Sequence, residues 1–159
     1  MPNETKNYGT VITTAGAALI AKCILNGGKV NIKTAAAGDG GGEYYEPTVA
    51  QTALRGKKWE GDVASAAVST TNANMIDVKI TIDDSVGGFT IREMGLFDDD
   101  GTLIAICNTP DTEKVSTDGG VSGKLTMIMH IVVADASVVS FTITPALDTV
   151  SRAEMELSL

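Results

Sequence analysis

Residues 87–105 read GGFTIREMGLFDDDGTLIA, and a change of phase inside that stretch constrains the fold more than anything else in the chain. Phe89 and Ile91 alternate with Thr90, as in a half-buried strand. After Arg92 and Glu93, side by side, the apolar positions resume at Met94 and Leu96 in the opposite phase. A one-residue slip turns every later side chain to the other face of a sheet. A continuous strand must therefore absorb the slip with one extra residue, a β-bulge. Placed at Arg92-Glu93, the bulge collects Phe89, Ile91, Met94 and Leu96 on one apolar face. Thr90, Arg92, Glu93, Gly95 and Phe97 fall on the other. Gly95 would let a neighbouring backbone or ring come close, and Gly87 and Gly88 supply the turn leading in. The spacing reads Arg92 and Glu93 as a solvated pair worth about 0–1 kcal/mol; the alternative is a pair that fixes a subunit contact.

Around that strand the chain reads as a sheet with one helix. TVITTAGAALIAKCILNGG is a short strand followed by a helix capped by Thr13 or Thr14. Leu19 with Cys23, and Ile20 with Ile24, give it one apolar face, and Asn26-Gly27-Gly28 ends it. Val30 and Ile32 alternate in a strand that runs into the glycine-rich loop GDGGGEYYEPT. Residues 49–69 fit a helical turn or an irregular strand. NMIDVKITIDD has the cleanest strand alternation, with Ile76, Val78, Ile80 and Ile82 on one face. TLIAICN is a further strand, and the polar, aperiodic connection from Thr109 to Gly123 is expected to be exposed. KLTMIMHIVVA is apolar on both faces and is expected to be a central, doubly covered strand. A turn at residues 135–137 leads into VVSFTITP, and the final TVSRAEMELSL is compatible with helix. The expected class is α+β: an antiparallel, hairpin-rich sheet or sandwich with one N-terminal helix packed on it.

Chemistry is easier to exclude than to assign. A length of 159 residues suits one domain. With 20 acidic against 12 basic residues the net charge is −8, which disfavours nucleic acid and anionic membrane as partners. The N-terminus MPNETKNYG is polar and shows no signal peptide. No apolar run approaches the ~18 residues of a membrane span, so a protein folded in a cytoplasm is expected. Cys23 and Cys107 lack a CxxC spacing and read as buried, reduced thiols. Gly38 to Glu43 resembles a dinucleotide loop but lacks the third glycine; DGGVSGKLT has Leu125 where a phosphate loop needs Ser or Thr. DDDGTL has consecutive acids and reaches Thr109 where a calcium loop needs Glu. All three read as turns. His130 is the sole histidine, in an apolar strand with no nucleophile at a recognisable elbow, and is expected to be structural. No catalytic, cofactor-binding or metal-binding residue is assigned.

VITTAGAALIA, AAGDGGG followed by QTALRGKKW, and VGGFTIREMGLFDDDGTLIAICN occur in the same order as in the N-terminal domain of phage tail-collar fibre proteins, the tail fibres of contractile-tailed phages and R-type pyocins. The chain resembles that family from about Thr10 to Thr144. The resemblance implies a virion structural protein and not an enzyme. It implies a domain, residues 1–144, that attaches a host-recognition fibre to a baseplate. Residues 145–159 would be a helical or flexible tail leading towards a shaft or partner. The fibres of the family are homotrimers, while the isolated chain is expected to be monomeric. Partners would be baseplate proteins and a fibre shaft or receptor-binding protein, in a tail assembled in the host cytoplasm. The alternative is a non-viral acidic module that binds carbohydrate or protein. Expected contact residues lie in three polar segments: Asn3, Lys6 and Tyr8 near the N-terminus, Asp39, Tyr44 and Tyr45 in the glycine-rich loop, and Asp111 and Lys114 in the connection. Loops on a rigid scaffold are where binding residues concentrate.

Overall fold

The computed structural model describes residues 6–83, 85–115 and 124–144. Its elements are β1 (Thr10–Ile12), α1 (Thr14–Asn26), β2 (Val30–Gly38), β3 (Lys57–Asp62), β4 (Ser65–Val68), β5 (Met75–Ile82), β6 (Phe89–Asp98), β7 (Leu103–Lys114), β8 (Leu125–Val132), a short 3-10 turn at Ala136–Val138, and β9 (Val139–Phe141). One sheet has the order β1-β7-β6-β2-β3, with β9 also paired to β2; the other has the order β4-β5-β8. Among the described residues, sheet with a single α-helix makes the fold α+β. Buried side chains of both sheets, among them Ile32, Ala35, Val78, Ile80, Ile82, Leu96, Ile104 and Ile131, belong to one hydrophobic cluster.

Local chemistry explains the main boundaries. Thr13 caps α1: its Oγ1 accepts the Gly16 amide at 2.9 Å and donates to the Leu103 carbonyl. Gly27, at φ 81°, ends the helix in a conformation that disfavours a side chain. β5 alternates as its sequence reads, with Ile76, Val78, Ile80 and Ile82 all buried. β6 pairs with β7 in a register that shifts between Ile91 and Glu93, where the apolar phase changes, and again between Leu96 and Phe97. Ile91, Met94 and Leu96 are buried and Phe89 packs against the cluster.

Several expectations need correcting. Residues 49–69 contain two strands, β3 and β4. The polar connection is not wholly a loop: Thr109 to Lys114 continue β7, and residues 116–123 lie outside the described set. β8 is an edge strand, with Ile128 and Val132 exposed. The strand buried on both faces is β7, from Leu103 to Asn108, because β1 and β6 flank it and α1 packs on it. The sheet is not purely antiparallel, since β9 runs parallel to β2. On α1, Ile20 is buried but Ile24 is 44% exposed, so the core-facing stripe is narrower than the sequence suggests.

Candidate attachment site

Arg92 and Glu93, where the β6–β7 register shifts, do different things. Glu93, expected on a solvated face, is 0% exposed. Its Oε2 accepts the amides of Gly40 at 3.0 Å and Gly56 at 2.7 Å. Its Oε1 accepts the Arg55 amide at 2.9 Å and the Tyr45 hydroxyl at 2.5 Å. The register shift puts the extra residues on β7, where Thr109, Pro110 and Asp111 stand opposite the single Arg92, and not on β6 as expected. The Glu93 carboxylate lies under two loops instead of out in water, and four donors offset its desolvation. Arg92 does not pair with it. The Arg92 Nε lies 3.2 Å from Asp111 Oδ1, and its Nη1 donates to the Asp39 carbonyl at 3.2 Å.

Glycines make this approach possible. A Cβ at Gly38 would run into the Gly56 carbonyl and the Glu93 carboxylate, and one at Gly56 into Asp39. Gly40, Gly41 and Gly42 all have positive φ, from 68° to 94°, so the loop turns where few other residues could. Asp39 Oδ1 accepts the Gly41 amide at 2.9 Å, and Lys58 stands 3.8 Å from its other oxygen. Gly95 is less tightly placed: a Cβ there would come closest to the methyl ends of Leu103 and Leu54, at 2.9 and 3.0 Å.

Above the carboxylate the loop presents aromatic residues. The Tyr45 ring is buried, with the Arg55 guanidinium 3.8 Å from its centroid and Gln51 Nε2 donating to its hydroxyl at 3.1 Å. Burial, and then the hydrogen bond to Glu93, push the Tyr45 phenol well above the usual tyrosine range. Tyr44 stays near the surface, its hydroxyl accepting the Asn7 amide at 2.9 Å and donating to the Asn7 carbonyl at 3.1 Å. Tyr8 meets Tyr44 edge to face at 5.8 Å, and the Lys6 ammonium lies 5.5 Å from the Tyr44 ring. Asn108, buried in β7, locks the two segments together. It accepts the Gly9 amide through Oδ1 at 2.9 Å and donates through Nδ2 to the carbonyls of Asn7 and Tyr45. Beside them a shallow cleft of about 160 Å³ is lined by Asn7, Tyr8, Gly9, Thr10, Val11, Glu46, Pro47 and Asn108.

Thus Lys6, Tyr8 and Tyr44 come together in one patch, with Asp39, Arg92 and Asp111 linked into the same loop region. Tyr45 and Lys114 are corrections. Tyr45 lies beneath the patch, its ring covered by Arg55. Lys114 is 1% exposed, its ammonium donating to the Val86 and Val115 carbonyls, so neither presents a side chain to a partner. Asn3 lies outside the described residues, as do residues 145–159. Gly87 and Gly88 sit in the turn before β6, where the Gly88 amide donates to the Lys114 carbonyl at 2.8 Å. The sequence singled out Glu93 at the phase change but placed it in solvent, and it missed Asn108 and Arg55 altogether as residues that shape this patch. Besides the phase change at Glu93, the signal was the density of glycine at 38, 40, 41, 42 and 56, which marks close backbone approach.

His130 does have a carboxylate neighbour: its Nδ1 is 2.7 Å from Asp77 Oδ1, across the β5–β8 pairing. Both side chains are substantially exposed on the open face of the small sheet, not within a pocket. Among the described residues no group of three or more His, Cys, Asp or Glu could hold a metal ion, and no helix is long and apolar enough to cross a membrane.

The family model for the phage tail-collar fibre protein N-terminal domain matches residues 5–153. The chain is 40% identical over 137 residues to a protein described as a probable tail fiber protein in Escherichia phage P2. That match takes in 86% of this chain and 20% of the relative, so the chain spans about a fifth of the relative's length. No solved structure matches it.

Proposed function

Because this chain belongs to the phage tail-collar fibre protein family, through its N-terminal domain, we propose that it attaches a host-recognition fibre to the baseplate of a contractile tail. It serves a phage tail fibre as a structural component. In this reading it acts without catalysis, as a rigid body in which two sheets share one core and present a docking patch at one end. Its partners are a baseplate protein on one side and a fibre shaft or receptor-binding protein on the other. Three copies assemble in the fibre, and the isolated chain is monomeric. The tail of the virion is where it works.

The observation that carries the attachment reading is the surface pair Tyr8–Tyr44 with Lys6 beside it, held by the buried Asn108 and by the loop that Glu93 fixes. Aromatic side chains on a preorganised support make strong contacts because little entropy is lost on binding. The test is the double substitution Tyr8→Ala with Tyr44→Ala, followed by thermal unfolding and by counting fibres on purified tails. A melting temperature within a few degrees of wild type and loss of fibres support the assignment. Normal fibre incorporation overturns it. Truncation of residues 1–8 should give the same result, since it removes Lys6 and Tyr8 together.

A further inference from the structure

The outer side of α1 is chemically unlike the outer side of an ordinary surface helix. Its exposed residues are Thr14, Ala15, Ala17, Ala18, Ala21, Lys22, Ile24, Leu25 and Asn26, with a single charge among them. Leu25 is 82% exposed. A helix that is apolar nearly all round belongs in an interior. Next to it lies an apolar groove of about 240 Å³ whose walls include Ala17, Ala21 and Ile24 of α1, Ile12 at the end of β1, and Val132 and Val133 at and just past the end of β8. Val132 borders the groove, and along that strand the outward face carries Ile128 as well, with His130 and its partner Asp77 between them.

Charge narrows the choice of what covers this face. The chain as a whole carries −8, yet residues 10–38 contain Lys22, Lys29 and Lys33 and no acidic residue. Lys22 and Lys29 are both exposed, one on α1 and one just beyond its C-terminal end. The helix side of the apolar face is thus edged with positive charge by Lys22 and Lys29, while the acids nearest the groove, Asp135 beside Ala134 and Asp77 paired with His130, lie on the opposite side. A second copy meeting it helix to helix would set Lys22 against Lys22. An acidic helix would set its charges against both lysines. The small side chains at 17, 18 and 21 let a second helix axis approach closely, and the groove takes a large apolar side chain projecting from it.

We propose that this face of α1, with the groove beside β8, docks an amphipathic helix whose apolar stripe is flanked by Asp or Glu, contributed by another protein of the tail. The proposal rests on the chain being a tail component, and it concerns a surface separate from the Tyr8–Tyr44 patch.

The test uses the full chain and two fluorescent 18-residue peptides. Both carry Leu and Ala at helical i, i+3, i+4, i+7 spacing. One has Glu at the remaining positions and the other Lys. Saturable binding of the Glu peptide, shifting the methyl resonances of Ala17, Ala21, Ile24 and Leu25, is expected. Leu25→Glu and Lys22→Glu should each weaken it roughly tenfold or more, as loss of a central contact does, with unchanged melting temperatures because both side chains are exposed. Equal binding of the Lys peptide, binding untouched by Leu25→Glu, or no binding of the Glu peptide overturns the proposal. So do concentration-dependent shifts of the same methyls without peptide, which would put a second copy on the face. Because the readout is a purified chain with a peptide, its failure is distinct from a failure of fibre incorporation in the Tyr8–Tyr44 test.

Discussion

At the scale of single residues, Glu93 organises the loop region, and it does so as an unusual acceptor: all four of its donors are neutral. Glu93→Ala would leave three backbone amides without their acceptor in a buried place. It should cost about 3 kcal/mol or more by chemical denaturation, given ~1–3 kcal/mol per unsatisfied group. Glu93→Gln keeps the shape but turns one acceptor into a donor facing amides, and should cost an intermediate amount. Position 93 was legible as a break in the strand pattern. Its burial was not, because the groups that satisfy it lie 37 to 53 residues away, beyond any local periodicity. Two further residues give a pH dependence. Burial raises the Tyr45 phenol, and it pushes the Cys107 thiol up to about 12. In the unfolded chain these groups lose their protons near pH 8.5 for Cys and 10 for Tyr, while the folded protein keeps them. The folded state therefore binds more protons above those values, and stability must fall as pH rises. Urea midpoints should decline from about pH 8.5 upward. Tyr45→Phe should flatten the decline above about pH 10, relative to its own value at pH 7, and Cys107→Ala the part beginning near 8.5. A flat wild-type profile between pH 8 and 11 would contradict this.

Elements show why some strands could be read and others could not. β5 sits between two neighbours with one face in the core, so its alternation is strict and its sequence declared it. β8 looked like a covered strand because Ile128 and Val132 are apolar on the outward face; the structure leaves that face open. β7 carried the opposite trap. Its double burial comes from α1 lying across it, and the unbroken apolar run Leu103 to Cys107 is the pattern that goes with it, shorter than the run in β8 and so passed over. The contact between the two is made at Gly16, where a Cβ would overlap the Ile104 carbonyl oxygen and come within 2.9 Å of its Cα. Gly16→Ala must lift the helix N-terminus off the strand. Despite the better helix propensity of alanine, it should destabilise by ~1–3 kcal/mol, the usual cost of overpacking. Thr13→Ala should cost ~1–2 kcal/mol, since the side chain both caps the helix and bonds the Leu103 carbonyl. If Gly16→Ala proves stabilising in thermal unfolding, the helix does not rest on β7 as described.

For the whole molecule, the question is whether two sheets with separate hydrogen-bond networks unfold as one. Among the described residues every strand-to-strand ladder stays within one sheet or the other. What unites them is the cluster in which Val78, Ile80 and Ile131 from the small sheet meet Ile32, Ala35 and Leu96 from the large one. A domain that mounts a fibre, the role proposed above, must transmit force without one layer peeling from the other, so in that role the cluster bears on function as well as stability. Ile80 is completely buried in the small sheet, while Trp59, the sole tryptophan, lies in β3 of the large one. Ile80→Ala opens a cavity and should cost ~2–5 kcal/mol, lowering the melting temperature by roughly 5–15 °C for a chain of this size. If the cluster makes the sheets one cooperative unit, the Trp59 fluorescence transition should move down together with the far-UV circular dichroism transition, and by the same amount. A fluorescence transition that stays at the wild-type temperature while the dichroism splits into two steps would mean that the small sheet melts by itself.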